Sequence, residues 1–262
     1  MTRDEPLPLD VSLPPPRAAL ATGALFLDLD GTLLDFAERP DAVVVEAGLR
    51  TALQRLHDAL DGALALLSGR PLQQIDALLA LPHAAAAGLH GAQLRRPDGR
   101  VTVLSPDPAH LQRLREHARA LVAGLPGVLL EDKGTALALH YRNVPDAEAA
   151  VRRAADDLLH VAGAGFALQP GNRVVEIKPA GVDKGTALLA LMEAAPFAGR
   201  VPWMLGDDLT DEHAFEQANR LGGVSVIVGA RRPTRARHAL ADPDAARRWL
   251  AALAASTPPE IR

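Results

Sequence analysis

The stretch "ALFLDLDGTLLDF" (residues 24–36) decides the reading of this chain. An apolar run of strand character ends in two acids, Asp28 and Asp30, and the turn formers Gly31 and Thr32 follow at once. Side chains two apart on a strand point to the same side. Two carboxylates held together that way repel, and one resists ionising unless a cation sits between them. The stretch therefore predicts a strand over residues 25–29 that delivers acids to a cation site.

Outward from that strand, short apolar runs alternate with amphipathic segments. This favours an α/β fold, a doubly wound (Rossmann-like), mostly parallel sheet. Leu49, Leu53, Leu56 and Leu60 fall at helical spacing. Residues 63–70 read as a second strand, and Pro71 opens a helix carrying Leu72, Ile75 and Leu79. Residues 83–94 read as a third strand.

The rhythm changes after about residue 95. "QLRRPDGRVTVL" reads as a hairpin turning at residues 97–99, and a helix with Leu111, Leu114, Ala118 and Leu121 follows. "GVLLEDKGTALALHYR" then reads as two strands, residues 146–161 as a helix, and "FALQPGNRVVEIKP" as a second hairpin turning at Gly171 and Asn172. Helix, hairpin, helix, hairpin is not a βαβ pattern. The first pattern resumes with "DKGTALLALMEAA" as a helix, "VPWMLGDD" as a strand, "DEHAFEQANRL" as a helix and "VSVIVG" as a strand. The expected organisation is a Pro-rich tail over 1–20, a discontinuous core over 21–105 and 180–256, and an inserted α+β module over 106–179.

Composition narrows the function classes. A chain of 262 residues with 48% hydrophobic content can bury a sizeable core. A net charge of −4 gives no global basic field for nucleic acid, and 3% aromatic content leaves few stacking platforms for bases. The absence of cysteine excludes disulfides and thiolate metal sites. No apolar run approaches the roughly 18 residues that cross a bilayer, so the expectation is a cytoplasmic protein with no membrane association.

In an open parallel sheet, ligands bind beyond the carboxyl ends of the strands. Four polar clusters fall there: "DLDGT" (28–32), "SGR" (68–70), "DKG" (183–185) opening a helix, and "GDDLTDE" (206–212). Each alone has a bland explanation as a cap or a turn. Four acids in six positions exceed what a helix dipole calls for, and four clusters in this order on one sheet point to joint chemistry. Carboxylate oxygens suit Mg²⁺, so Asp28, Asp30 and Asp207 around one ion would cancel their repulsion. One carboxylate can attack phosphorus and the other can transfer a proton. Ser68 can hydrogen-bond a phosphate oxygen and Lys184 can neutralise its charge.

At these residues the chain resembles the haloacid dehalogenase (HAD) phosphatase superfamily. "DLDGT", Ser68, Lys184 and "GDDLTDE" match its four motifs. "LLSGRP", "GLHGAQLR", "ALHYRN", "PGNRVVEIKPAGVDKGTAL" and "GDDLTDEHAF" resemble one family within it, trehalose-6-phosphate phosphatase. The resemblance implies that Asp28 is the nucleophile and Asp30 the general acid/base. It also implies that Mg²⁺ is bound by Asp28, the Asp30 backbone carbonyl and Asp207. Asp208 and Asp211 would be supporting acids, with Thr32 and Arg70 supporting the site. The inserted module would be a cap contacting sugar through Glu131, Lys133 and Glu176. Relatives usually read "HGAE" where this chain reads "HGAQ", so Gln93 keeps the shape and loses a charge.

The remaining polar residues have competing readings. Glu176 alternates with Val175 and Ile177, so it faces solvent or a substrate cleft. His140 and Arg142 would share a strand face, and Asn172 with Arg173 would form a hairpin tip. Arg70 either orients the Ser68 loop or pairs with a local acid. His90 reads as a loop hydrogen-bonder, and the arginine-rich "ARRPTRARH" (230–238) as a solvated loop. The implied partner is a small sugar phosphate, with no obligatory protein partner. The rivals are a phosphatase for another substrate, such as sucrose 6-phosphate or mannosylglycerate phosphate, and a catalytically silent phosphosugar-binding regulator.

Overall fold

The computed structural model describes residues 22–35, 45–104, 106–171 and 173–256. The stretch 1–20, nearly all of the C-terminal "STPPEIR" and Asn172 lie outside the described residues. The chain divides into two compact units, Met1–Val101 with Asp183–Arg262, and Thr102–Val182. No helix among the described residues is long and apolar enough to cross a membrane.

The first strand, β1 (Gly23–Leu27), is buried at all five residues. It pairs in parallel with β2 (Leu64–Leu67) on one side and β10 (Val201–Gly206) on the other. A strand enclosed on both edges and both faces has no solvent side, so a continuous apolar run replaces alternation. β3 (Ala85–Gly88) extends the parallel sheet beyond β2, and β11 (Val224–Val228) and β12 (His238–Leu240) extend it beyond β10. With β4 (Gln93–Arg95) and β5 (Val101–Val103), the eight-stranded order is β12-β11-β10-β1-β2-β3-β4-β5. Phe26, Leu53, Leu56, Leu60 and Leu66 lie wholly inside the core, and the Phe26 and Phe197 rings meet at 5.3 Å.

Among the described residues, the α-helices of this unit are α1 (Ala47–Ala59), α2 (Leu72–Leu79), α5 (Lys184–Met192), α6 (Glu212–Arg220) and α7 (Pro243–Ala255). Each follows from its sequence. α2 buries Leu72, Ile75 and Leu79 on one stripe. α5 begins with a reciprocal cap: the Asp183 carboxylate accepts from Thr186 N at 2.8 Å, and the Thr186 hydroxyl accepts from Asp183 N at 2.9 Å. Such a cap contributes about 1 kcal/mol and fixes where the helix starts.

One expectation is corrected here, one is refined, and one helix was not expected. The single strand over 83–94 is two antiparallel strands, β3 and β4, separated by a turn at Leu89–Gly91. Leu89 and His90 take positive φ there, which no apolar pattern reveals. The stretch 230–238 is a loop with Arg232, Arg235 and Arg237 exposed, as expected, but Arg231 and Arg235 pair with Glu212 and Glu216 and its last residue, His238, opens β12. α7 was not anticipated, although its signal is present in the Asp242 cap, Pro243 at the first helical position, and Ala246, Leu250 and Leu253 at helical spacing.

The second unit is a four-stranded antiparallel sheet in the order β6-β7-β9-β8 with two helices. Its elements are α3 (Pro108–Ala123), β6 (Leu129–Asp132), β7 (Leu137–His140), α4 (Glu148–Ala162), β8 (Phe166–Gly171) and β9 (Val174–Pro179). Leu111, Leu114, Val151, Ala155 and Leu158 of the helices pack with Leu137, Leu139, Val175 and Ile177 of the sheet. Alternation then assigns the intervening residues to the other face. The register aligns Glu131, Ala138, Glu176 and Gln169 in one row across the four strands. β7 ends at His140, so Arg142 lies in the following turn rather than beside His140 on a strand.

Candidate active site

Within the first unit, the polar clusters emerge from the carboxyl ends of β1, β2 and β10 and from the start of α5. Asp28 directly follows β1, and its N–H still bonds Leu205 O at 3.0 Å, which holds the residue at the sheet edge. Its side chain is 5% exposed. Lys184 Nζ donates to Asp28 Oδ1 at 2.6 Å and to Asp211 Oδ1 at 2.6 Å. The Thr32 hydroxyl donates to Asp28 Oδ2 at 3.0 Å and lies 3.3 Å from Asp207 Oδ1.

Asp28, Asp207 and Asp211 form a carboxylate trio whose ligand oxygens all lie within 4.8 Å of one another. Burial, together with Asp211 and Asp30, pushes the Asp28 carboxyl up to about 7 against the opposing pull of Lys184. Burial, Asp28 and Asp211 push Asp207 up to about 10. Burial alone would lower the Lys184 pKa, but Asp211 and Asp28 outweigh it and the ammonium is held above its ordinary range. Asp28 and Asp207, raised by burial and by their neighbouring acids, are groups that a cation would discharge. All the donors are hard oxygens, which fits Mg²⁺.

The third carboxylate of the trio is Asp211, not the Asp30 side chain. Asp30 is not in it, because strand geometry ends at Leu27 and the chain turns, bonding Thr32 N and Leu33 N back to Leu29 O. The Asp30 carboxylate sits instead in the guanidinium fork of Arg70, with Nε–Oδ2 at 2.7 Å and Nη2–Oδ1 at 2.6 Å. Asp211 is the third carboxylate of the trio, and it also holds the backbone beside Asp207. Its Oδ2 accepts from Asp207 N and Asp208 N, both at 3.0 Å. Gly206 makes room for this: a Cβ there would lie 2.6 Å from Asp211 Oδ2. Asp208 is outside the trio and caps the short turn Leu209–Asp211, accepting from Leu209 N at 2.7 Å.

Ser68 follows β2, is buried, and accepts from Arg70 N at 3.1 Å through its hydroxyl. Its carbonyl accepts from His90 N at 3.0 Å, which ties the turn after β3 to the β2 end. Gly91, at φ 102°, packs on the α5 start so closely that a Cβ would lie 2.7 Å from Asp183 O. Gln93 Oε1 accepts from Leu72 N at 2.8 Å, capping α2. A neutral amide oxygen can accept this bond, without the added charge that a carboxylate would bring to the helix start.

In the second unit, Glu176 is buried and paired with Lys133, so the solvent-facing alternative does not hold. Glu131 accepts from His140 Nε2 at 2.8 Å, and that hydrogen bond holds its carboxyl below the usual range. Glu131, Lys133, His140 and Glu176 thus form two adjacent acid–base pairs. Sequence reasoning missed Arg231, whose guanidinium reaches the backbone carbonyls of Asp207 and Asp208.

Comparison with known proteins bears on this geometry. The trehalose-phosphatase family model matches residues 26–244. The chain is 48% identical over 206 residues to a "Probable trehalose-phosphate phosphatase" of Sinorhizobium fredii (strain NBRC 101917 / NGR234), covering 79% of this chain and 77% of the relative. It is 45% identical over 206 residues to the trehalose-6-phosphate phosphatase of Escherichia coli K12, with the same coverage. The fold resembles the C-terminal domain of C. albicans trehalose-6-phosphate phosphatase, with a TM-score of 0.79 at 23% identity over 92% of this chain and 95% of that one. A phosphatase of the HAD superfamily from Bacteroides thetaiotaomicron shares the fold at a TM-score of 0.59 and 19% identity, covering 92% and 97% of the two chains. With four motif clusters on one sheet, and relatives this close over most of its length, the chain belongs to the trehalose-phosphatase family.

Proposed function

We propose that this chain hydrolyses trehalose 6-phosphate to trehalose and phosphate, with Mg²⁺, through an aspartyl-phosphate intermediate. The observation that carries the reading is Asp28 itself: a buried carboxylate with one oxygen on Lys184, beside two further acids. Asp28 attacks phosphorus in line, and the bond from phosphorus to the sugar oxygen breaks. Asp30 gives its proton to that oxygen as it leaves. Asp30 then takes a proton from water as the water oxygen attacks phosphorus, and the bond to Asp28 breaks to release phosphate.

Ser68 donates a hydrogen bond to a phosphoryl oxygen, and Lys184 offsets the negative charge that gathers there. Arg70 donates to both Asp30 oxygens and so fixes where that carboxyl group stands, leaving a further lone pair on each oxygen. Asp28, Asp207 and the Asp30 backbone carbonyl would hold the ion, with Asp211 orienting Asp207. A bound Mg²⁺ supplies charge neutralisation at the phosphoryl oxygens. We assign the second unit as the sugar-reading cap, with Glu131, Lys133 and Glu176 contacting hydroxyl groups. Support comes from the shared sheet face of Glu131 and Glu176 and from the burial of Glu176.

Phosphate release across a panel of sugar phosphates, with Mg²⁺ and with chelator, tests this reading. Selective turnover of trehalose 6-phosphate that needs Mg²⁺ is expected. Preference for another phosphosugar would reassign the substrate, and absence of turnover would point to a silent binding module.

A further inference from the structure

We propose that Arg231, in the arginine-rich stretch before β12, is a positioning residue that holds Asp207 in place for a divalent cation. The proposal rests on the reading of the carboxylate trio as a cation site. Asp207 is the first residue beyond β10, where the sheet no longer supplies partners for the backbone. Arg231 Nε donates to Asp207 O at 3.0 Å, and its Nη2 to Asp208 O at 3.3 Å. The same nitrogen pairs with Glu212, which aims the guanidinium and balances its charge. Glu212 is fixed in turn by Arg235 N, which donates to Oε2 at 2.7 Å.

From the opposite side, Asp211 accepts the N–H groups of Asp207 and Asp208. The Asp207–Asp208 segment is therefore gripped by its carbonyls and by its amides. A planar fork that spans two successive carbonyls fits this task, and a flexible ammonium does not. The grip has a definite use: the ligand oxygens of Asp28, Asp207 and Asp211 lie within 4.8 Å of one another, and the tether keeps Asp207 there before an ion arrives. Holding it inward removes a rearrangement that binding would otherwise have to drive.

The test is calorimetric titration of Mg²⁺ alone into the full chain and its variants, with far-UV circular dichroism as the check on folding. Arg231→Ala should bind Mg²⁺ about ten- to a hundredfold more weakly, the range for losing a group that orients a metal ligand. Saturating Mg²⁺ should then restore most of kcat. Arg235→Ala removes a neighbouring arginine whose side chain reaches Glu216 instead of these carbonyls, and should leave the affinity unchanged. Wild-type affinity in folded Arg231→Ala overturns the proposal, and so does an equal loss in Arg235→Ala, which marks general loosening. If Arg231→Ala does not fold, Arg231→Gln carries the test, since one amide can serve only one of the two carbonyls. A wild-type chain that takes up no Mg²⁺ refutes the cation reading itself, a result distinct from either of these.

Discussion

Replacing Lys184 by Met keeps the length of the side chain and deletes its charge. The ammonium is 3% exposed and lies 2.6 Å from both Asp28 and Asp211, whose side chains are 5% and 0% exposed. At an effective dielectric of about 20, each contact gains roughly 6 kcal/mol of Coulomb energy. Most of this gain offsets the cost of burying three charges. The net loss on removing one partner from such a group is about 3–5 kcal/mol. For a chain of this size each kcal/mol moves Tm by about 2–4 °C, so Lys184→Met should melt roughly 6–20 °C lower in chelator. The deficit should shrink at about pH 5, where the abandoned carboxylates can take up protons, and be largest at about pH 8. Thermal unfolding followed by circular dichroism at the two pH values reads it directly. A Tm within a degree or two of wild type at the higher pH would refute the claim that this lysine holds the carboxylates together. Adding Asp211→Asn should recover part of the loss, since it removes one of the stranded charges.

Other expectations follow from the same contacts. Asp28→Asn should abolish phosphate release while the far-UV spectrum stays native; substantial residual turnover would displace Asp28 as nucleophile. Asp28 and Asp207 both have folded pKa values raised above the ordinary 3.8, to about 7 and about 10. The folded metal-free chain therefore binds more protons than the unfolded chain between those limits, and its stability should fall as pH rises from about 4 to about 10. Mg²⁺ competes with those protons, so the rise in Tm on adding Mg²⁺ should be larger at about pH 8 than at about pH 5. An equal rise at both values would contradict the shifts. Glu176→Gln should raise KM for trehalose 6-phosphate about ten- to a hundredfold, the worth of a hydrogen bond to a charged group, and spare turnover of a small aryl phosphate. A matching loss on both substrates would place the defect in folding rather than in sugar contact.

Much of this molecule was legible in its residues. The apolar run before Asp28 makes a buried central strand, because nothing in it could face water. The helical stripes of α1 and α2 and the hairpins of the second unit were readable from period and turn residues, since both are local properties. The four polar clusters could be ordered and given a chemistry because strand ends in a parallel sheet converge. The superfamily resemblance followed from the same clusters, and the family resemblance from longer stretches such as "ALHYRN" and "PGNRVVEIKPAGVDKGTAL".

Only the tertiary structure decided which groups meet. Sequence spacing paired Asp28 with Asp30, yet the turn after Leu29 sends Asp30 to Arg70, 40 residues away, and Asp211 joins Asp28 through Lys184. The turn at Leu89–Gly91, the pairing of Glu176 with Lys133 and the grip of Arg231 on the Asp207 carbonyl were likewise invisible. The reason is physical. Period and propensity report a residue's relation to its near neighbours, whereas a buried charge or an open carbonyl at a strand end takes whichever partner the fold brings within about 3 Å, at any distance along the chain.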